Sequence, residues 1–403
     1  MGERPLWSQI VIVLAVLIVL VALTMANFRF AEELPGGNDF LGRWMGARFW
    51  VQEGISPYDP QVGRASQQLI YGRAVDREAG EDIQDFLYPF PAMVFFAPFG
   101  ALPYTLARAI WMTILEVSLP ILALIGIAIA DWKPRRVVLV SLLLFSVLWY
   151  HGTRAIIIGQ FAVIEALLMA GALLAVKRGR DPLAGILLGL SIAKPQMAVL
   201  LIPFVFLWAG YARRWLIVAW GLGTIAGLLA VSVLLLPDWP VMWLQQLIEH
   251  PTYTVIGPPV EILGDAFPSM SSVIAVALGG ALVLYLLWEW AKAAGKPDRW
   301  FQWTAALTIV VTNLVAFRTA TTNYVVLLPA LCIVFAVLAD RWGAKGDVVI
   351  LLVMAVILVG MWALFLATIE GNVEHPVIYL PLPILTLLGL WWARWWAVRA
   401  VRL

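Results

Sequence analysis

Cysteine is almost missing from this chain. The single Cys332 excludes an intramolecular disulfide framework and any multi-cysteine metal site. Histidine is nearly as scarce, and three residues argue against a His-rich metal centre. Charge is thin as well: 13% of residues are Asp, Glu, Lys or Arg, where soluble domains carry about 25%. The net charge of +2 gives no reason to expect nucleic acid or a strongly acidic partner. No Walker loop, G-x-S-x-G or H-E-x-x-H is present, and Gly221-Leu-Gly223 lies inside an apolar run. What fills the 403 residues instead is 62% hydrophobic, with a mean hydropathy of +0.89 and 21 Trp. That composition excludes a soluble enzyme and fits a protein with Trp at bilayer interfaces.

About 20 apolar residues span a bilayer as a helix. Apolar stretches at 8–27, 106–130, 136–150, 160–176, 182–194, 195–210, 214–237, 270–291, 301–317, 323–340, 347–368 and 378–397 predict an all-α polytopic protein with about 12 transmembrane helices. The stretches 182–194 and 195–210 read as half-helices meeting at a break. The first run exceeds the apolar core of about 7–15 residues in a signal peptide and lacks a small-residue cleavage site. It is expected to be a retained first helix. Basic residues then alternate between connections. Lys133, Arg135 and Arg136, Lys177, Arg178 and Arg180, Arg213 and Arg214, Lys292, Lys296 and Arg299, and Arg341 and Lys345 fall on one side. Arg4, Arg394, Arg399 and Arg402 join them, so this side is expected to be cytoplasmic, with both termini there.

The outer side is uneven. Residues 28–103 predict a long first outer loop, and 237–269 a second, within a single transmembrane domain covering 1–403. Loops longer than about 12–15 residues are usually functional or disordered. Trp44, Phe49, Trp50 and Tyr58 argue against disorder here. Leu41, Trp44, Met45, Ala47, Arg48 and Val51 recur at near-helical spacing, which predicts an interfacial helix on the outer leaflet. Leu87–Leu102 is apolar but interrupted by prolines. It predicts a re-entrant or interfacial element, tolerable only under a cover of protein.

Three cations break the charge pattern: Arg154, Lys194 and Arg318. A charge in or near hydrocarbon costs roughly 2.5–3.5 kcal/mol on insertion scales and needs a partner. Snorkelling, or an ion pair such as Arg154 with Glu165, is the bland explanation. Lys194 fits it least, because Pro195 also breaks the helix there, and freed carbonyls beside a cation resemble a ligand cavity. The functional alternative is an anionic lipid phosphate held by the three. Asp39 reads either as a helix N-cap or as a general base at the membrane surface. Asp59 is turn chemistry, and Asp85, Glu261 and Asp265 are weaker acids on a solvated surface. Gln160 reads either as helix–helix glue or as a contact to sugar hydroxyls. His250 and His375 read as structural residues or as acid or phosphate contacts, and Asn323 as a cap.

These pieces resemble a known family. Asn38-Asp39-Phe40, leading through Trp44, Ala47 and Arg48 to Gly54-Ile-Ser-Pro57-Tyr58, looks like the first-loop signature of C-type (GT-C) polytopic membrane glycosyltransferases, and more narrowly of glycosyltransferase family 87. Tyr88-Pro-Phe-Pro91, Gly159-Gln160, Ala184-Gly185 with Gly189, and Lys194-Pro195-Gln196 match its later elements in order. The resemblance spans roughly residues 30 to 210. It implies a GT-C-like fold and a polyprenyl-phosphate sugar donor, usually mannose, used on the outer face of a bacterial plasma membrane. It implies Asp39 as catalytic base and Lys194 as a phosphate contact. The family's late histidine is absent before Leu327-Leu328-Pro329, so Arg318 or Asn323 is expected in that role. Asn38 stands where many C-type enzymes outside the family have a second acid, so neither metal nor other cofactor is expected.

The expected activity is thus inverting hexosyl transfer to a lipid or glycan acceptor among membrane lipids. Asp39 would act as base, Lys194, Arg318 and Arg154 would bind the donor phosphate, and Gln160, Tyr58, Asn323 and His250 would line the sugar and acceptor site. The rival is a lipid-linked saccharide flippase or transporter. The lack of an internal repeat and the outward placement of the three cations weigh against it.

Overall fold

A computed structural model describes residues 6–34, 36–76, 78, 81–249, 257–296, 298–316, 319–370 and 374–399. The predicted Arg318 and His250 lie outside these residues. The described chain is helical almost throughout. It opens with α1 (Leu6–Glu33), followed by α2 (Asn38–Arg48), α3 (Pro60–Tyr71) and α4 (Met93–Gly100). The bundle continues with α5 (Tyr104–Ile129), α6 (Arg136–Leu148), α7 (Tyr150–Ile158), α8 (Ala162–Lys177) and α9 (Asp181–Leu190). Then come α10 (Pro195–Ala198), α11 (Leu201–Tyr211), α12 (Trp215–Leu235), α13 (Trp239–Glu249) and α14 (Pro259–Asp265). The chain closes with α15 (Ser271–Ala293), α16 (Asp298–Val315), α17 (Leu328–Trp342), α18 (Ala344–Thr368) and α19 (Pro381–Val398).

Seven helices are long and apolar enough to cross a membrane, by length and composition: Trp7–Glu33, Tyr104–Ile129, Trp215–Leu235, Pro268–Ala293, Thr321–Trp342, Ala344–Thr368 and Pro376–Val398. The pair α6 and α7, bent by 44°, would make an eighth. The protein is therefore a multi-pass membrane protein. Phe90–Gly100, Asp181–Ala193 and Leu201–Tyr211 are shorter apolar helices. A short helix can be tolerated at membrane depth when protein surrounds its ends.

Ion pairs define one end of the bundle. Lys177 reaches Asp131 at 2.6 Å, and Arg135 reaches Asp347 at 3.1 Å. Arg214 pairs with Asp181, and Arg394 with the fully buried Glu289 at 2.6 Å. The basic connections that the charge pattern grouped together are thus joined by contact. At the edge of the bundle, α1 docks on α5 by a polar clasp: Asn27 donates to Thr113 at 3.1 Å and to Glu116 at 2.8 Å. In hydrocarbon such interhelical bonds supply adhesion that apolar burial cannot, because lipid tails are as apolar as leucine.

The other end is capped by the segments between α1 and α5. Here α2 differs from the expected interfacial helix. Phe40, Leu41, Trp44, Met45 and Ala47 are all buried, so α2 is sheathed by protein, mainly by α4, α3 and α5. The aromatic residues that looked like a lipid-facing stripe stack inward instead: Phe40 lies on Trp111 with ring centroids 5.2 Å apart, and Trp44 on Tyr104 at 5.0 Å. The proline-rich segment forms a 3-10 turn at Phe90–Ala92 and then α4, which packs against α2. Trp44 and Gln52 tie the two together by donating to the carbonyls of Leu102 and Gly100, each at 3.1 Å. In the second outer segment, Trp243 of α13 donates to the Leu87 carbonyl at 3.0 Å and joins that segment to the first.

Candidate active site

Asp39 sits in the first turn of α2, and the start of that helix is fixed from outside. Gly37 is the N-cap residue, with φ at +78°. A Cβ there would meet Arg108 Nε at 2.7 Å and the Tyr104 hydroxyl at 2.9 Å, so glycine is needed for both conformation and space. Tyr104 donates to the Gly36 carbonyl, and Arg108, almost fully buried, donates to the Leu34 carbonyl at 2.7 Å. Asp39 itself makes no capping bond to the backbone. The N-cap reading is thereby replaced, and its carboxylate is left for other partners.

One of them, Gln160, gathers groups from three further segments. Gln160 donates its amide to Asp39 Oδ2 at 2.8 Å and to the Thr322 hydroxyl at 3.3 Å. The amide oxygen of Gln160 accepts from Lys194 Nζ at 2.8 Å and from the Tyr88 hydroxyl at 3.2 Å. Lys194 also donates to Asn323 Oδ1 at 2.7 Å. An ammonium only donates and an ionised carboxylate only accepts, so the orientation of the Gln160 amide follows from its two charged neighbours. Asp39, Gln160, Lys194 and Asn323 are thus joined as one hydrogen-bonded row.

Local sequence places each member. Gly159, with φ at +73°, ends α7 and turns the chain so that Gln160 points at Asp39. A Cβ on Gly159 would lie 2.5 Å from Phe40 Cβ, so the close approach to α2 also requires glycine. Lys194 lies in the break between the 3-10 turn Ser191–Ala193 and α10, whose first residue is Pro195. Proline cannot continue the helix from behind, which is why the cation leaves the bundle axis at this point. Thr322 and Asn323 belong to a 3-10 stretch, Thr321–Leu327, leading into α17.

Sequence reasoning passed over two further members. Arg43, one turn after Asp39, brings its guanidinium to 3.5 Å from Asp39 Oδ1 and lies 4.8 Å above the Tyr88 ring. Among the described residues its buried Nε finds no hydrogen-bond partner. The i, i+4 spacing after Asp39 was the available signal. Tyr88 was read only as part of a proline-rich motif. It packs against Phe96 and Phe161 and presents its hydroxyl to Gln160.

The Asp39 side chain keeps 29% of its surface accessible, so it is recessed rather than sealed. Removal of water around it raises its pKa above the ordinary carboxylate range, while Arg43 and then Lys194 pull it back down.

The remaining predicted residues are placed differently. Arg154 pairs with Glu374 at 3.0 Å rather than with Glu165. Glu374 also accepts from Tyr150 and Thr321, each at 2.7 Å, so this acid–base cluster adjoins the row through the Thr321–Asn323 segment. Glu165 is buried. Tyr58 is buried and donates to the Tyr88 carbonyl at 2.8 Å, which makes it a support for Tyr88. Asp59 caps α3 by accepting from the Gln61 amide at 2.9 Å. His375 caps the turn at Pro376 by accepting from the Val377 amide at 3.2 Å.

The fold and this recessed polar row define a polytopic, all-helical membrane protein with its polar centre at one end of the bundle. Residues 86–258 match the family model of Glycosyltransferase family 87. The match takes in Tyr88, Gly159, Gln160 and Lys194, and the first-loop motif at Asp39 lies outside it. No curated protein matches the chain. Among solved structures, ArnT from Cupriavidus metallidurans, crystallised bound to undecaprenyl phosphate, is similar at 17% identity with a TM-score of 0.47. That likeness covers 96% of this chain and 73% of ArnT.

Proposed function

We propose that this protein moves a hexose, mannose by family resemblance, from a polyprenyl-phosphate sugar to a hydroxyl of a lipid or glycan acceptor. The reaction is assigned to the outer face of a bacterial plasma membrane, with inversion at the anomeric carbon. The observation that carries the reading is the row itself: a recessed carboxylate linked through one amide to a buried lysine, at the end of the bundle away from the basic connections. A glycosyl phosphate needs these two groups side by side, a base for the attacking hydroxyl and a cation for the leaving phosphate.

In the proposed step the acceptor oxygen attacks the anomeric carbon, and its proton passes to Asp39. The bond from that carbon to the phosphate oxygen breaks, and its electron pair leaves with the polyprenyl phosphate. Lys194 and Arg43 stabilise the departing phosphate. Arg43 enters this role because it has an unpartnered buried Nε beside the acid. Arg154, held by Glu374, becomes a phosphate ligand only on exchanging that carboxylate. Arg318 is assigned a contact to the donor phosphate from its position in the sequence. Gln160 and Asn323 orient Lys194, and in the bound state are available to sugar hydroxyls. His250 remains an acceptor-side candidate on sequence grounds.

The deciding experiment uses detergent-purified protein with short-chain polyprenyl-phosphate mannose and a membrane lipid extract. Mass spectrometry follows release of polyprenyl phosphate and any hexose-shifted lipid. Release that depends on Asp39 supports transfer. Full release by both Asp39→Asn and Lys194→Ala overturns the assignment. A flippase, which needs two compartments, would consume no donor in detergent.

A further inference from the structure

The structure holds a second polar space away from the Asp39–Lys194 row. A cleft of about 500 Å³ opens between α3 and α13, the first and second outer segments. That volume falls in the range of about 300–1,000 Å³ typical of small-molecule sites. From the charge and chemistry of its walls, we infer that this cleft binds a neutral saccharide, the polyhydroxylated part of the acceptor. The binding claim stands on the cleft alone, and its assignment to the acceptor rests on the transferase reading.

The lining decides the ligand class. Half of the twelve lining residues carry an amide or a carboxylate: Gln245, Gln246 and Glu249 from α13 and Asp59, Asp85 and Gln67 from the first segment. Groups of this kind match sugar hydroxyls, which both donate and accept. Three carboxylates against the one guanidinium of Arg64 make the cleft unfavourable for a phosphodiester. Tyr58, Pro60, Ile83 and Met242 supply apolar wall, the kind of surface against which the carbon face of a sugar ring lies. The row beside Asp39 has the opposite character, with Arg43 and Lys194. The two sites thus divide a reaction's components by charge, anion in one and neutral polyol in the other.

Two more observations point to a ligand. Among the described residues Gln246 Oε1 is buried with no hydrogen-bond partner, and turning of this side chain, which lines the cleft, would offer it to a ligand hydroxyl. The cleft also shares a wall with the candidate active site. Tyr58 lines it and bonds the Tyr88 carbonyl, and Tyr88 in turn bonds Gln160.

The test uses the full-length protein in lipid nanodiscs with mannotriose as a neutral probe and inorganic phosphate as an anionic one. Hydrogen exchange is followed at residues 56–67 and 239–249. Mannotriose is expected to slow exchange in both segments, and phosphate to leave them unchanged. The double variant Gln245→Ala/Gln246→Ala is expected to lose the protection while keeping its melting temperature. No protection by mannotriose, protection that survives the double variant, or equal protection by phosphate would each overturn the proposal. If Asp39→Asn retains full donor consumption while mannotriose still protects the cleft, the acceptor assignment falls with the transferase reading and the saccharide site stands.

Discussion

Asp39 works only as a carboxylate in the proposed step, so pH tests its environment directly. Desolvation raises its pKa, and a raised pKa moves the acid limb of the rate profile upward, toward neutrality. Activity should therefore rise with pH through a value above the ordinary aspartate range. Arg43→Met removes the strongest charge opposing that shift. Its limb should lie at still higher pH than in the parent protein, as read from kcat/KM over pH. An unchanged limb would show that Arg43 does not face the acting base. Asp39→Asn cannot take the proton and should lose about 10²–10⁴ of kcat, the range a positioned base supplies. Much of this centre was legible in the sequence, because its members break local rules: a lysine before a proline in an apolar run, and an acid opening an aromatic helix. Arg43 and Tyr88 broke no rule and went unread. Arginine in an outer loop is ordinary, and only the fold shows that this one is walled in.

At the scale of the element, the helix α2 carries the acid, and its setting was misread. Amphipathic spacing alone does not tell a lipid surface from a protein surface, since both are apolar. The cover supplied by α3 and α4 comes from segments up to about fifty residues further along the chain, out of reach of periodicity. Placement of α2 relies on close backbone approach, so the glycine at the end of α7 is a sensitive point. Gly159→Ala combines a left-handed backbone, costing roughly 1–2 kcal/mol for an L side chain, with a clash against Phe40. It should lower the melting temperature and reduce kcat, because Gln160 and Asp39 shift together. Gly223→Ala serves as the control, since a Cβ there meets nothing within 4 Å and should leave both readouts unchanged.

For the whole molecule, the ion pairs at the basic end fix where the connections lie relative to the site. Arg394 is the partner of a fully buried Glu289, and breaking a buried pair costs about 3–5 kcal/mol. Arg394→Ala should therefore destabilise the protein far more than Arg135→Ala, whose side chain is mostly exposed. Thermal unfolding in detergent would rank them. The basic connections were legible because the rule behind them is global. The lengths of the passes were not, since α9 and α11 are too short to read as spans and need neighbours to cover their ends. Orientation can be checked against a nearly cysteine-free background, because Cys332 is buried. A thiol introduced at Lys345 should be labelled by impermeant maleimide in inverted vesicles, and one at Arg64 in right-side-out cells. The reverse pattern would place the candidate site on the cytoplasmic face.

The Gln160 side chain, set between acid and base, has a consequence for how the centre idles. Had Asp39 and Lys194 met directly, each would have quenched the other, and the resting protein would hold an inert ion pair. A carboxamide has one face for each charge and no proton to exchange near neutral pH. It acts as a spacer, keeping the two groups out of direct contact until, in the proposed step, an acceptor hydroxyl and a donor phosphate offer each something better.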